Sequence, residues 1–248
     1  MAGFLLVHGA MHGGWCFDAV AGILRGQGHV VAAPDLPGMG GDEETLRSTT
    51  LAGWTGFLLA ELRALRRQTG DAPLVLAGHS RGGINVSAAA EADPTAMDAL
   101  VYICALMVPN GMSGNSVRAI LPRDETMEGL IPPRRIAEAA PALKPDAAVA
   151  MFAQRTEPGL ARAAMTRLVD EPLIPLGTEL ALTPERWGSL PRTYIECLHD
   201  RAITIAQQRK LQELSPGARV VTLDSDHSPF LCCPQALAHA LLEVAERC

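Results

Sequence analysis

Ser80 stands within Gly78-His79-Ser80-Arg81-Gly82-Gly83, after an apolar run at Pro73–Ala77 and before a helical stretch at Gly82–Ala92. The three pieces read as a strand, a tight turn and a helix, with the serine in the turn. Small residues two before and two after the serine let neighbouring backbone approach closely. The turn can then hold Ser80 in a strained conformation, with Oγ projecting beside the positive end of the helix. Gly-x-Ser-x-Gly alone is a common pattern; at a strand-to-helix junction it predicts a nucleophile.

A serine hydroxyl needs a base. The seven histidines are His8, His12, His29, His79, His199, His227 and His239. Where a serine sits at such a turn, the triad runs serine, acid, histidine along the chain. His227 fits, in the loop Asp224-Ser225-Asp226-His227-Ser228-Pro229-Phe230 that follows the apolar run Arg219–Leu223. His239 lies in an Ala/Leu-rich helix, His79 is too constrained within the turn, and His199 leaves no later acid in the right place. The acid is expected after the fifth strand, at Asp200. Asp224 and Asp226 compete by proximity, but a residue one or three positions from His227 rarely points at its distal ring nitrogen.

Acyl transfer at Ser80 would also need two backbone N–H groups aimed at the developing oxyanion. One is that of Arg81, after the nucleophile. The other is expected from Ala10, in the glycine-rich loop His8-Gly9-Ala10-Met11-His12-Gly13-Gly14-Trp15. His8 and His12 have no carboxylate or cysteine at ligand spacing, so no metal is expected. The glycines at 38, 40 and 41 follow Pro37 and open no helix, so they form no dinucleotide fingerprint, and no cofactor is expected.

These residues need a scaffold that alternates strands and helices, as a parallel sheet with crossover helices does. Strands are expected at Gly3–Val7, His29–Ala33, Pro73–Ala77, Ala99–Leu106, Pro191–Leu198 and Arg219–Leu223. Helices are expected at Phe17–Gly26, Leu51–Arg67, Gly82–Ala92, Ile203–Leu214 and Gln235–Arg247. Leucines at 58, 59, 62 and 65 give the second helix its amphipathic period. From Met107 to Leu190 no convincing strand is found. Prolines recur there at 109, 122, 132, 133, 141, 145, 158, 172, 175 and 184, with short helical pieces such as Asp146–Gln154 and Gly159–Val169 between them. The division expected is a core of residues 1–106 and 191–248, with 107–190 inserted as a cap over one end of the sheet.

The chain has 248 residues, 48% hydrophobic and 19% charged, which excludes a disordered chain, and aromatics are only 4%. A formal charge of −6 argues against nucleic acid or an anionic membrane as partner. No apolar run is long enough for a membrane span, and Phe4–Val7 is too short for a signal sequence. Six cysteines without a Cys-x-x-Cys pair point to a reducing cytoplasm.

At this point the chain resembles the α/β-hydrolase superfamily, and more narrowly its branch of plant methyl esterases, hydroxynitrile lyases and related bacterial esterases. The matching segments are Phe4–Ala10, His12–Cys16, Ala33–Gly38, Gly78–Ser80, Tyr102–Ala105, Tyr194–Cys197 and His227–Phe230, in order along nearly the whole chain. The resemblance implies an α/β-hydrolase fold with a six-stranded, mainly parallel sheet flanked by helices and lacking the two antiparallel leading strands of larger relatives. Lyases of the branch carry a lysine directly after the catalytic histidine and a threonine directly after the first-strand histidine. Here these positions are Ser228 and Gly9, which favours hydrolysis. Arg81 stands where many relatives have an apolar residue, and its side chain is unaccounted for.

The resulting expectation is a carboxylesterase that acts on a small to medium, largely apolar small-molecule ester through an acyl-enzyme. Its pocket is expected to hold few acids or bases and to draw on Gly9, Met11, His12 and Met107, although Met107 fits the core equally well. A homodimer is left open. Two other readings are a hydroxynitrile or other carbon–carbon lyase, and a ligand receptor that keeps the triad and signals through its cap.

Overall fold

A computed structural model describes residues 1–123 and 136–248. Its strands are β1 (Gly3–Val7), β2 (Val30–Ala32), β3 (Leu74–His79), β4 (Ala99–Ile103), β5 (Ala139–Ala140), β6 (Glu171–Pro172), β7 (Arg192–Cys197) and β8 (Arg219–Leu223). Its helices are α1 (Asp18–Gly26), α2 (Glu43–Ser48), α3 (Leu51–Thr69), α4 (Gly82–Ala92), α5 (Gly114–Arg118), α6 (Pro145–Phe152), α7 (Pro158–Met165), α8 (Ile174–Gly177), α9 (Ile205–Leu214), α10 (Pro229–Cys232) and α11 (Pro234–Ala245).

Six strands form one parallel sheet in the order β2-β1-β3-β4-β7-β8. Successive side chains of a strand point to opposite faces, and these strands are apolar on both. Phe4, Leu6, Val75, Ala77, Val101 and Ile103 pack on one face with Val20 and Leu24 of α1 and Leu237 and Leu241 of α11. Leu5, Val7, Leu74, Leu76, Leu100 and Tyr102 pack on the other with Trp54, Leu58, Leu62 and Leu65 of α3 and Val86 of α4. The leucine period of α3 therefore becomes its buried stripe. Thr50 caps that helix by accepting from the Gly53 N–H at 3.1 Å.

Several boundaries differ from the sequence reading for local reasons. β3 runs on through Gly78 and His79, because register with β4 continues to His79↔Ile103. β4 stops at Ile103 rather than Leu106, because Cys104 takes φ +36°. α9 begins at Ile205, where Thr204 and Gln207 form a capping box. Between β4 and β7 the chain forms α5 to α8. It also forms one short antiparallel pair, β5 with β6, that the sequence did not signal, because two-residue strands leave no periodicity. Pro132 and Pro133 lie outside the described residues. No helix among the described residues is long and apolar enough to cross a membrane.

Candidate active site

The C-terminal ends of β3, β4, β7 and β8 converge on one place. Ser80 follows β3 with φ +53°, a left-handed conformation that a serine adopts only when the surroundings enforce it. Its N–H donates to the Ile103 carbonyl at 3.1 Å and its carbonyl accepts from the Leu106 N–H at 2.9 Å, so both sides of the turn are tied to the end of β4. The flanking glycines are needed for contact. A Cβ on Gly78 would lie 2.5 Å from the Gly82 oxygen, and one on Gly82 would lie 2.8 Å from the Val7 oxygen.

Asp200, after β7, and His227, after β8, meet beside this turn. His227 Nδ1 lies 2.7 Å from Asp200 Oδ2, with 2% and 0% of the side chains exposed. A carboxylate oxygen only accepts, so Nδ1 carries the proton and Nε2 is left with its lone pair. Asp200 is held in turn. Its Oδ1 accepts from Ala202 N–H at 2.7 Å and Ile203 N–H at 2.9 Å, and its Oδ2 accepts from Gln208 Nε2 at 3.2 Å. Among the described residues Ser80 Oγ forms no hydrogen bond.

The competing acids are engaged elsewhere. Asp226 is fully buried and accepts from Ser228 N–H and Arg155 N–H, each at 2.9 Å, and from Thr156 Oγ1 at 3.3 Å. It fastens the His227 loop to the β4–β7 insertion. Asp224 is exposed and meets Arg155 at 3.2 Å and His199 Nε2 at 2.7 Å.

Among the described residues neither Ala10 N–H nor Arg81 N–H has a protein acceptor. The two loops that carry them are bound together by the Arg81 side chain. Its Nη2 donates to the Gly9 carbonyl at 3.2 Å, its Nε donates to Glu171 Oε2 at 3.0 Å, and the guanidinium lies 4.4 Å from the Trp54 ring centroid. Burial lowers the Arg81 pKa and Glu171 opposes that shift. This accounts for the side chain that the sequence left unexplained: it links the turn, the Gly9–Ala10 loop and β6 of the insertion.

The other histidines in this region are fixed neutral. His8 Nε2 accepts from Leu36 N–H at 2.9 Å, so its Nδ1 carries the proton and donates to the Gly9 carbonyl at 3.0 Å; burial lowers its pKa to about 3. His12 Nδ1 donates to the Ala10 carbonyl at 2.7 Å, and burial lowers its pKa to about 4. His79 Nε2 donates to the His227 carbonyl at 2.7 Å, and burial takes its pKa well below the ordinary histidine value. His79 and Gln208 are contributors that sequence reasoning missed. Gln208 left one signal, a polar residue on the same face of α9 as Leu211; His79 left none beyond its place beside Ser80.

His79, Cys104 and His227 bring potential ligand atoms within 4.8 Å of one another, the one such group among the described residues. His79 Nε2 and His227 Nδ1 are already committed to protein acceptors. The arrangement therefore suits proton transfer at His227 better than metal binding.

A cavity of about 340 Å³ opens at Ser80, lined by Ala10, Met11, Leu106, Phe152 and other residues, mostly from the insertion. Of the four residues expected to shape it, Met11 does. Met107 is fully buried in the sheet-face core with Tyr102 and Tyr194, and its neighbour Leu106 faces the cavity instead. His12 is buried between the Trp15 and Phe152 rings. Gly9 leaves no room for substrate, since a Cβ there would lie 2.8 Å from Ser80 Cβ and 2.9 Å from His79 Nδ1. The wall also includes Arg118, Glu171 and Arg201, so it holds more charge than the sequence suggested.

The chain is 30% identical to methylesterase 7 of Arabidopsis thaliana, over 98% of this chain and 96% of the relative. It is also 30% identical to a pyrethroid hydrolase of Sphingobium wenxiniae, over 98% of this chain and 87% of the relative. Among solved structures, a pyrethroid hydrolase superposes with a TM-score of 0.81 at 25% identity, covering 99% of this chain and 98% of the other. Polyneuridine aldehyde esterase superposes with a TM-score of 0.83 at 24% identity, covering 99% of each, which bears on the fold alone. Residues 4–240 match the alpha/beta hydrolase family, and the chain belongs to that family.

Proposed function

We propose that this protein is a carboxylesterase in which Ser80, His227 and Asp200 form an acyl-transfer triad. The observation that carries the reading is the 2.7 Å contact between His227 Nδ1 and Asp200 Oδ2, which leaves Nε2 as the base at the end of the sheet where the strained Ser80 stands. The names of the relatives, methylesterase and pyrethroid hydrolase, support ester hydrolysis as the reaction.

In this mechanism Ser80 Oγ attacks the acyl carbon while His227 Nε2 takes its proton. Asp200 holds the imidazole tautomer and stabilises the imidazolium. The oxyanion is met by Ala10 N–H and Arg81 N–H, the second at the start of α4 where the helix end adds positive potential. His227 then protonates the leaving alkoxide, and a water activated by the same nitrogen hydrolyses the acyl-enzyme. Residues 107–190 act as a cap that supplies most of the cavity wall and keeps bulk water out. The substrate is a small to medium ester with a largely apolar body, and no cofactor takes part. Six free thiols accord with a reducing compartment such as the cytoplasm.

Cyanohydrin lysis would need a cation beside the base. The residue after His227 is Ser228, fully buried and neutral, which supplies none. Ser80→Ala tests the nucleophile: hydrolysis of 4-nitrophenyl acetate should fall by roughly 10⁴-fold or more. Retention of more than about a tenth of the activity would remove Ser80 from the mechanism. Mandelonitrile should release no cyanide above the buffer blank.

A further inference from the structure

Among the described residues the charges of the cavity wall are unevenly paired. The one carboxylate among them, Glu171, is matched at 3.0 Å by Arg81, which lies outside the wall. The two guanidinium groups among them, Arg118 and Arg201, have no such match. Among the described residues Arg118 forms no hydrogen bond and no ion pair within 4.0 Å, and Glu171 attracts it only from farther away. Arg201 gives one N–H to the Ala150 carbonyl at 3.3 Å and pairs with no carboxylate among the described residues.

Arg118 is also firmly placed. The helix that carries it, α5, starts with a capping box between Ser113 and Ser116. Val117 anchors it in an apolar cluster with Ile84 and Leu176 and is fully buried. Asn115 and Arg118 are three residues apart, so they share a helix face, and both line the cavity. Arg118 is exposed and lines the cavity at Ser80. A guanidinium has five donors in a planar fork, and a carboxylate is the acceptor that fits the fork.

We propose that Arg118 determines specificity, and that the preferred substrate is an ester that also carries a free carboxylate. This rests on the esterase reading above. The apolar wall at Leu106, Leu121, Phe152 and Leu176 takes the hydrocarbon body, Ser80 takes the ester carbonyl, and Arg118 with Asn115 takes the carboxylate. Arg201 adds positive potential. Hydrolysis consumes one water, breaks the acyl C–O bond, and yields a second carboxylate, an alcohol and one proton.

The test compares two matched pairs of esters. Mono-4-nitrophenyl adipate against 4-nitrophenyl hexanoate places the charge on the acyl part. 4-Carboxyphenyl hexanoate against phenyl hexanoate places it on the alcohol part. For one pair, the native protein should show a higher kcat/KM for the charged member. Arg118→Met should lower the charged-to-neutral ratio by roughly tenfold to hundredfold, through KM, and Arg118→Lys should recover part of it. A ratio unchanged by Arg118→Met in both pairs would overturn the proposal. If none of the four esters is turned over, the esterase reading falls, and calorimetric titration with monomethyl adipate decides the anion site separately. Binding to Ser80→Ala that is lost in Ser80→Ala/Arg118→Met upholds it. Equal binding, or none to either, overturns it.

Discussion

Arg81 Nε and Glu171 Oε2 lie 3.0 Å apart with 1% and 5% of their side chains exposed, although 90 positions separate them in the chain. One belongs to the turn that holds Ser80 and the other to β6, so a buried ion pair joins the serine turn to the segment between β4 and β7. Removing one partner strands a charge in a poorly solvated place, whereas removing both does not. Arg81→Met should cost about 3–5 kcal/mol in urea unfolding, and Arg81→Met with Glu171→Met should recover most of it. Additive losses in the double variant would show that the two side chains act independently.

The acid assignment separates two buried aspartates by what each touches. Asp200→Asn should lower kcat by about 10⁴-fold, because His227 loses its anionic partner and its tautomer is no longer held. Asp226→Asn should lower kcat far less and cost about 1–3 kcal/mol of stability, because an amide replaces an acceptor of three hydrogen bonds. Paired kinetic and unfolding measurements check the order; its reversal would move the acid to the His227 loop.

Gly9 is set by contact with the serine turn. Gly9→Ala puts a methyl 2.8 Å from Ser80 Cβ, so either the turn or the loop must shift. The expected result is a fall in kcat of roughly 10²-fold with little change in KM, since small displacements of a reacting group are costly. Normal kcat in Gly9→Ala would show that the loop has room. For the same reason, Gly9→Thr with Ser228→Lys should lose esterase activity without gaining cyanohydrin cleavage.

Acid should destabilise the fold through its buried histidines. His8 and His12 have pKa values of about 3 and about 4 in the folded chain, against an ordinary 6.5. Their contribution to stability is complete above pH 6.5 and is lost as the pH falls toward those values, because the unfolded chain takes up protons that the folded chain refuses. Each adds up to about 1.4 kcal/mol per pH unit across that window. Urea unfolding at intervals from pH 7 to 4.5 should show this slope, and His12→Phe should reduce it. A flat profile from pH 6.5 to 5 would mean that these histidines titrate normally in the fold.

Much of the scaffold can be read from local pattern. β1, β8 and α4 begin and end where apolar runs and glycines place them, and α3 runs two residues beyond its expected end. These elements are legible because burial repeats with the period of the backbone that carries it. β5 and β6 were not legible, since two residues carry no period.

The sequence by itself determined the serine turn, because Gly78 and Gly82 are demanded by contacts within a few residues of Ser80 or with the adjacent strand. It also pointed to Asp200 and His227, because chain order in such a sheet limits where an acid and a base can stand. Only the tertiary structure decided which polar residues meet across long separations: Arg81 with Glu171, His79 with the His227 carbonyl, and Asp226 with Arg155 and Thr156. It also decided that Leu106 rather than Met107 faces the cavity, and that Gly9 is filled against Ser80. The reason is physical. Strand and helix periods fix which face a residue takes within its own element, whereas the partner that a buried charge finds depends on how distant elements pack together.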